Sequence, residues 1–145
     1  MSQKLIKIAI IGKTNAGKST LINALVGEKI SIINKKITTT QESILGIKNT
    51  GNTQIIFYDT PGSNFLKTSN ISQKKLKTEL WQSIDSVDLL IYLIDVLKYD
   101  LIEIEKDISK ISEVEKPIIL IFNKIDLIDN KKILYIIKEL KNIKN

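Results

Sequence analysis

The chain has 145 residues, with 22 basic against 16 acidic side chains, a net charge of +6, and neither histidine nor cysteine. That length suits one domain able to bury a core of its own, and the missing cysteine and histidine exclude a disulfide framework, a zinc site and a catalytic thiol. No apolar run approaches the length of a membrane-spanning helix and the N-terminus has no signal-peptide pattern, so a cytoplasmic chain is expected.

The first apolar run, Leu5–Ile11, reads as a strand. It leads into Gly12-Lys13-Thr14-Asn15-Ala16-Gly17-Lys18-Ser19, then Thr20, and a helical pattern over Lys18–Val26. Strand, Gly-rich loop and helix form the context in which G-x-x-x-x-G-K-[ST] is a phosphate site. Glycines let the backbone wrap close to phosphate oxygens, while consecutive N–H groups and the helix N-terminus supply positive potential. The motif assigns Lys18 to the β- and γ-phosphates and the Ser19 hydroxyl to Mg²⁺. A Gly-rich turn that binds nothing is the plain alternative, and the flanking strand and helix argue against it.

Lys29–Glu42 lacks the glycines of a tight turn and is long for a simple connection. A threonine hydroxyl here can complete a Mg²⁺ shell only when a γ-phosphate is present, which is how a switch loop senses nucleotide state. Equally, Thr38, Thr39 and Thr40 can simply begin the next strand, where threonine is favoured. Spacing alone does not choose between these.

Strands follow at Ser43–Asn49 and Gln54–Tyr58, and the intervening Thr50-Gly51-Asn52-Thr53 marks a hairpin. The second strand ends in Asp59-Thr60-Pro61-Gly62. In a P-loop protein a strand-end aspartate holds Mg²⁺, often through water, and Asp59 fits that role. Gly62 lets its N–H approach the γ-phosphate because no Cβ intervenes. Taken alone, the tetrapeptide would read as a turn.

A helix is expected over about Ser72–Ile84, with Trp81 as a packing anchor, then a strand at Leu89–Asp95. Leu101–Ile111 follows as a helix with Ile104, Ile108 and Ile111 on one face. The strand Pro117–Phe122 runs into Asn123-Lys124-Ile125-Asp126. N-K-x-D at a strand end suits guanine, because the Asp126 carboxylate accepts from both N1–H and the exocyclic amine. Adenine offers an acceptor at N1 and would repel it. Asn123 can bond the base edge or brace the phosphate loop, and the Lys124 stem can lie across the ring.

The last helix, Lys131–Asn142, has a core stripe of Ile133, Ile136, Ile137 and Leu140. Lys131, Lys132, Lys138, Lys141 and Lys144 can attract RNA, although a solvated helix face is the plainer reading. Three motifs in order, each at a strand's C-terminal end, lie where ligands bind in open α/β sheets. The expected fold is therefore an α/β P-loop NTPase domain. Its sheet is mostly parallel with one antiparallel hairpin strand, and right-handed helical crossovers place helices on both faces.

The phosphate loop with Asn15, Lys29-Ile30-Ser31-Ile32, Thr39-Thr40, Ile44-Leu45-Gly46-Ile47, D-T-P-G and N-K-I-D together resemble the Era family of bacterial GTPases, from about Lys4 onward. The Ser-Ile and Ile-Leu-Gly-Ile stretches favour that family over the tRNA-modification and ribosome-maturation members of its class. The resemblance implies GTP and GDP as ligands and Mg²⁺ held by Ser19, Thr40 and Asp59. Catalytic roles would fall to Lys18, Thr40 and Gly62. It places Gly12 through Thr20, Thr39, Thr40, Asp59, Thr60, Pro61, Gly62, Asn123, Lys124, Ile125 and Asp126 around the nucleotide. As partners it implies the small ribosomal subunit and 16S rRNA, and it allows peripheral membrane association.

Asn15 matches the asparagine that helps coordinate K⁺ in potassium-activated relatives. The chain has no arginine at all, so it cannot supply its own arginine finger. A monovalent cation held by Asn15 and switch-loop carbonyls can stand there instead. The alternative is that Asn15 only caps the loop through nearby backbone.

Two departures fall near the expected switch loops. Gln41 stands where the family usually has arginine, and Ser63 where it usually has a hydrophobic residue, and no residue can be named that orients the attacking water. A complete domain of this kind would add another strand, whose loop contacts guanine, and a final helix. The family's RNA-binding KH domain comes next, and no G-x-x-G loop of that type occurs here. Residues 1–145 therefore read as a single G domain incomplete at its C-terminus, with Pro117–Phe122 left as an apolar edge strand. The alternative to a GTP-hydrolysing switch is a truncated GTP/GDP-binding module, or a fragment, without significant hydrolysis.

Overall fold

Alternation decides how the first strand is used. In β1 (Lys4–Gly12) Ile8 and Ile10 face one side of the sheet and Ala9 and Ile11 the other, and all four are buried. A strand buried on both faces belongs at the centre of a sheet covered on both sides, and β1 lies in the middle of the order β2-β3-β1-β4-β5. The computed structural model describes residues 4–27, 43–60 and 84–143. The expected switch segment Lys29–Glu42 with Thr38, Thr39, Thr40 and Gln41, the residues Pro61, Gly62 and Ser63, Trp81, Lys144 and most of the helix expected up to Ile84 lie outside the described residues.

The hairpin forms as expected. β2 (Ser43–Thr50) and β3 (Thr53–Asp59) pair antiparallel from Ser43↔Asp59 to Thr50↔Thr53, and Gly51 takes φ 55° at the first position of the two-residue turn. The register shifts between Ile44 and Gly46, a bulge that gives Leu45 no cross-strand partner. Leu45 packs instead against the cluster of Ile8, Ile10, Ile22, Phe57 and Ile91.

The remaining pairings are parallel. β1 pairs β3 (Ile10↔Asp59) and β4 (Leu89–Asp95; Gly12↔Leu93), and β4 pairs β5 (Ile118–Asn123; Asp95↔Asn123). Pro117 lies just outside β5 because it has no N–H for the ladder, yet its carbonyl still accepts from Leu90 N at 2.9 Å. Among the described residues β5 pairs only with β4, and Ile119 in it is 47% exposed.

Helix α1 (Lys18–Val26) covers one face through Ile22. It stops at Gly27, whose φ of 79° lets its N–H reach Asn23 O at 3.0 Å. The opposite face is covered by α2 (Leu101–Ser112) and α3 (Asn130–Ile143) through Ile104, Ile111, Ile136 and Leu140. Burying each such side chain stabilises the fold by about 1.5–3 kcal/mol, so the stripes expected from helical spacing serve the core. Asp100 caps α2 by accepting from Ile102 N at 2.9 Å and Glu103 N at 3.1 Å. Beneath that helix, Tyr92 donates its hydroxyl to Asp107 Oδ2 at 2.7 Å, and Asp107 is buried.

Candidate functional site

The parallel strands β3, β1, β4 and β5 end on one rim, at Asp59, Gly12, Asp95 and Asn123. The phosphate loop leaves β1 there, and two left-handed residues shape it: Asn15 at φ 63° and Gly17 at φ 98°. Space confines both glycines. A Cβ on Gly12 would lie 2.9 Å from the Leu93 carbonyl oxygen, and one on Gly17 would lie 2.2 Å from Asn123 Nδ2. Ala16 N donates to Lys13 O at 3.1 Å to close the turn, and Ala16 is buried.

Helix α1 makes its first backbone bond from Leu21 N to Gly17 O, and Gly17 caps it with no side-chain bond. The N–H groups of Lys18, Ser19 and Thr20 therefore have no intrahelical partner and point out of the helix end as anion donors. Lys18 donates its Nζ to Gly12 O at 3.0 Å and Lys13 O at 3.4 Å, which holds the ammonium across the inside of the loop. Ser19, Thr14 and Asn15 are exposed.

Asp59 closes β3 with an unusual feature. Its Oδ1 is buried without a hydrogen-bond partner. Burial pushes its carboxyl above the ordinary range, while the charge of Lys18 pulls the other way. A desolvated carboxylate oxygen with no donor suits a hard cation. Mg²⁺ usually takes one or two protein oxygens plus water and substrate phosphate, and the Asp59 carboxylate has the chemistry of one such oxygen. No cluster of three or more acidic, histidine or cysteine side chains occurs among the described residues, so no all-protein metal cage competes with this reading. Thr60 is spent differently: its hydroxyl donates to Ile10 O at 2.8 Å, which ties the end of β3 to β1 and fixes Asp59 at the rim.

The base motif closes on the same loop. Asn123 Nδ2 donates to Ala16 O at 2.8 Å, so of its two sequence-level roles the structure displays the loop brace. Lys124 has φ 64°, and its Nζ donates to Asn15 O at 3.2 Å and to Asp95 Oδ2 at 2.6 Å. Ile125 and Asp126 lie in a short 3₁₀ turn (Ile125–Leu127), where the Asp126 carboxylate is exposed at the rim.

Two contributors escaped the sequence reading. Asp95 closes β4 and is buried. Desolvation raises its carboxyl, but the Lys124 hydrogen bond, the Leu97 N–H and the charges of Lys124 and Lys98 outweigh that and hold it below the usual range. Lys13 pairs with Glu103 on the first turn of α2, tying the phosphate loop to that helix. The signal for Asp95 was present: a lone aspartate closes an apolar strand, as Asp59 does in β3. Nothing local signals the Lys13–Glu103 pair. No helix among the described residues is long and apolar enough to cross a membrane.

Comparison with known proteins agrees with this geometry. Residues 7–124 match the family model described as 50S ribosome-binding GTPase. GTPase Era of Buchnera aphidicola is 42% identical over 127 residues, covering 88% of this chain and 44% of that protein. Era in complex with MgGDPNP and nucleotides 1506–1542 of 16S ribosomal RNA superposes with a TM-score of 0.72 at 37% identity, over 97% of this chain and 47% of that one. A point variant of Era from Aquifex aeolicus bound to GDP·AlF₄⁻ gives 0.71 at 35%, over 96% and 47%. The chain thus spans a little under half the length of these relatives. It belongs to the 50S ribosome-binding GTPase family, as an Era-like G domain.

Proposed function

We propose that this chain binds GTP and GDP with Mg²⁺ and hydrolyses GTP as a molecular switch. The observation that carries the reading is the shared clasp. The loop that wraps phosphate is bonded through Ala16 O and Asn15 O to the two residues that open the guanine motif.

The Gly12–Ser19 backbone cradles the phosphates, and Lys18 exchanges its loop carbonyls for β- and γ-phosphate oxygens. Bound Mg²⁺ would neutralise charge on the β- and γ-phosphates, held by Ser19 and Asp59 and, in the triphosphate state, Thr40. Asp126 accepts from guanine N1–H and the exocyclic amine. Catalysis then comes from positioning and charge neutralisation, as phosphoryl transfer requires. With no arginine in the chain, Asn15 would be the residue to hold K⁺, which would supply there the positive charge that an arginine finger gives. Loss of the γ-phosphate would release Thr40 and Gly62 and change the surface a partner meets. One Era structure is a complex with 16S ribosomal RNA, and the small ribosomal subunit is the proposed partner here.

Thermal melting with Mg²⁺ tests the guanine site. GDP at a hundredfold excess over its Kd stabilises the folded state by about 2.7 kcal/mol, a rise in Tm of about 5–10 °C for a chain this size. ADP at the same concentration should leave Tm unchanged, and equal shifts would refute guanine selectivity. Single-turnover phosphate release with K⁺ and with Na⁺ tests hydrolysis. A chain that melts higher with GDP yet releases no phosphate in either salt is a binding module rather than a switch.

A further inference from the structure

One buried carboxylate at the rim belongs to none of the three nucleotide motifs. Asp95 is 8% exposed and stands opposite Asn123 in the β4–β5 register. Both its oxygens are engaged: Oδ1 accepts from Leu97 N at 2.9 Å and Oδ2 from Lys124 Nζ at 2.6 Å. The same ammonium donates to Asn15 O at 3.2 Å, at the exposed crown of the phosphate loop. Asn123 holds the next carbonyl, that of Ala16, at 2.8 Å.

Lys124 and Asn15 both have left-handed backbones, at φ 64° and 63°. Each such residue costs about 1–2 kcal/mol unless its surroundings hold it there. A lysine ammonium on a four-carbon stem has three donors and no preferred direction of its own. A fixed acceptor must therefore set where the stem lies. Asn15 O cannot do this alone, because it belongs to the loop being held. Asp95 can, because it is anchored in a central strand and locked by the Leu97 N–H. The Lys124 side chain remains 31% exposed, against 7% for that of Asp95, so part of its length is open to a flat ring.

We propose that Asp95 is a positioning residue for guanine-nucleotide binding, acting through Lys124 to lay its stem as the floor of the base site and to pin the phosphate loop at Asn15. This role presupposes the guanine-nucleotide reading of the site. It makes the base pocket and the phosphate loop one unit, assembled before nucleotide arrives.

The test is a double-mutant cycle read by fluorescent-GDP affinity and dissociation rate, with the nucleotide-free Tm measured for each variant. Asp95→Asn keeps the shape and removes the charge that fixes Lys124. Lys124→Met keeps an apolar stem without the ammonium. It also leaves Asp95 buried without its salt-bridge partner, a change that can unfold a chain. The double variant removes both charges and restores a foldable comparison.

Asp95→Asn should weaken GDP binding about tenfold, chiefly through faster dissociation, and the double variant should bind no more weakly than Lys124→Met. If Lys124→Met does not fold, the double variant should match Asp95→Asn within about twofold, since the charge on Lys124 acts only where Asp95 fixes it. A GDP affinity within twofold of the parent in Asp95→Asn would overturn the inference. So would losses that multiply in the double variant, since Asp95 would then act only on the frame. Failure of the parent chain to bind GDP would instead refute the guanine-nucleotide reading itself.

Discussion

Gly17→Ala separates two reasons why a phosphate loop needs glycine. Its φ of 98° strains any L side chain, and a Cβ there would lie 2.2 Å from Asn123 Nδ2. The backbone alone costs about 1–2 kcal/mol. Displacing the Asn123 amide forfeits its bond to Ala16 O, worth about 0.5–1.5 kcal/mol. Together these make about 2–3 kcal/mol, or about 5–10 °C in Tm for a chain of this size. Gly51 is the internal control: its φ is 55°, but nothing lies within 4 Å of its would-be Cβ. Gly51→Ala should therefore lose only the backbone share, about 2–5 °C, and leave nucleotide binding intact. Gly17→Ala should also weaken GDP binding at least tenfold, because the displaced amide braces the loop. Differential scanning fluorimetry and fluorescent-GDP titration read both quantities. Equal melting losses in the two variants, or parental GDP affinity in Gly17→Ala, would refute the steric argument.

Other residues give independent tests. Asp126→Asn should lower GDP affinity by tenfold or more in titration calorimetry, since a hydrogen bond to a charged group contributes about 1.5–3 kcal/mol. Tyr92 is held far above its ordinary pKa by burial and by its bond to Asp107, so its phenol should stay silent in ultraviolet titration until the chain unfolds. Tyr92→Phe should cost about 1–2 kcal/mol in urea denaturation without touching nucleotide affinity. Asp95 has a depressed folded pKa, so its stabilisation is complete above the unfolded value of about 3.9 and is lost as pH falls through the folded one. The Tm gap between the parent and Asp95→Asn should accordingly be full at pH 6 and close on acidification below pH 4. Asp59 has the opposite sign: its raised pKa means the folded chain loses stability as pH rises through it. Asp59→Asn should raise the nucleotide-free Tm, an effect absent below the unfolded value of about 3.9 and growing as pH rises through the folded pKa, and remove the dependence of GTP-analogue binding on Mg²⁺.

What could be read from the sequence was local. Ile8 and Ile10 against Ala9 and Ile11 declare a strand buried on both faces, and Ile104 and Ile111 declare one face of a helix. A glycine five residues after the end of β1 would mean little alone. Gly12 and Gly17 at P-loop spacing, between a strand and a helix, leave few other structures. What could not be read depends on meetings between distant residues. The Asn123 amide has the chemistry for either a base edge or a backbone carbonyl. Only the approach of Gly17, 106 positions earlier in the numbering, puts Ala16 O within 2.8 Å of it. The resemblance places Thr60 beside the nucleotide, and its neighbours in sequence give no sign that its hydroxyl bonds the β1 carbonyl of Ile10.

Asp95 shows why such residues stay hidden. Its sequence neighbourhood is an apolar strand with one polar end, which also describes a plain turn. Its partner lies just past the end of the next strand, 29 positions away, and the cation it fixes was already accounted for by the guanine motif. A motif names the groups that touch the ligand, because ligand chemistry restricts their type. It does not name the group that aims them, since any buried acceptor at the right register can do so. The parallel register that sets Asp95 beside Asn123 supplies that acceptor here. For a rim built from the ends of parallel strands, the residues opposite the motif in the ladder are therefore the first to mutate when binding is to be weakened without touching the ligand's own contacts.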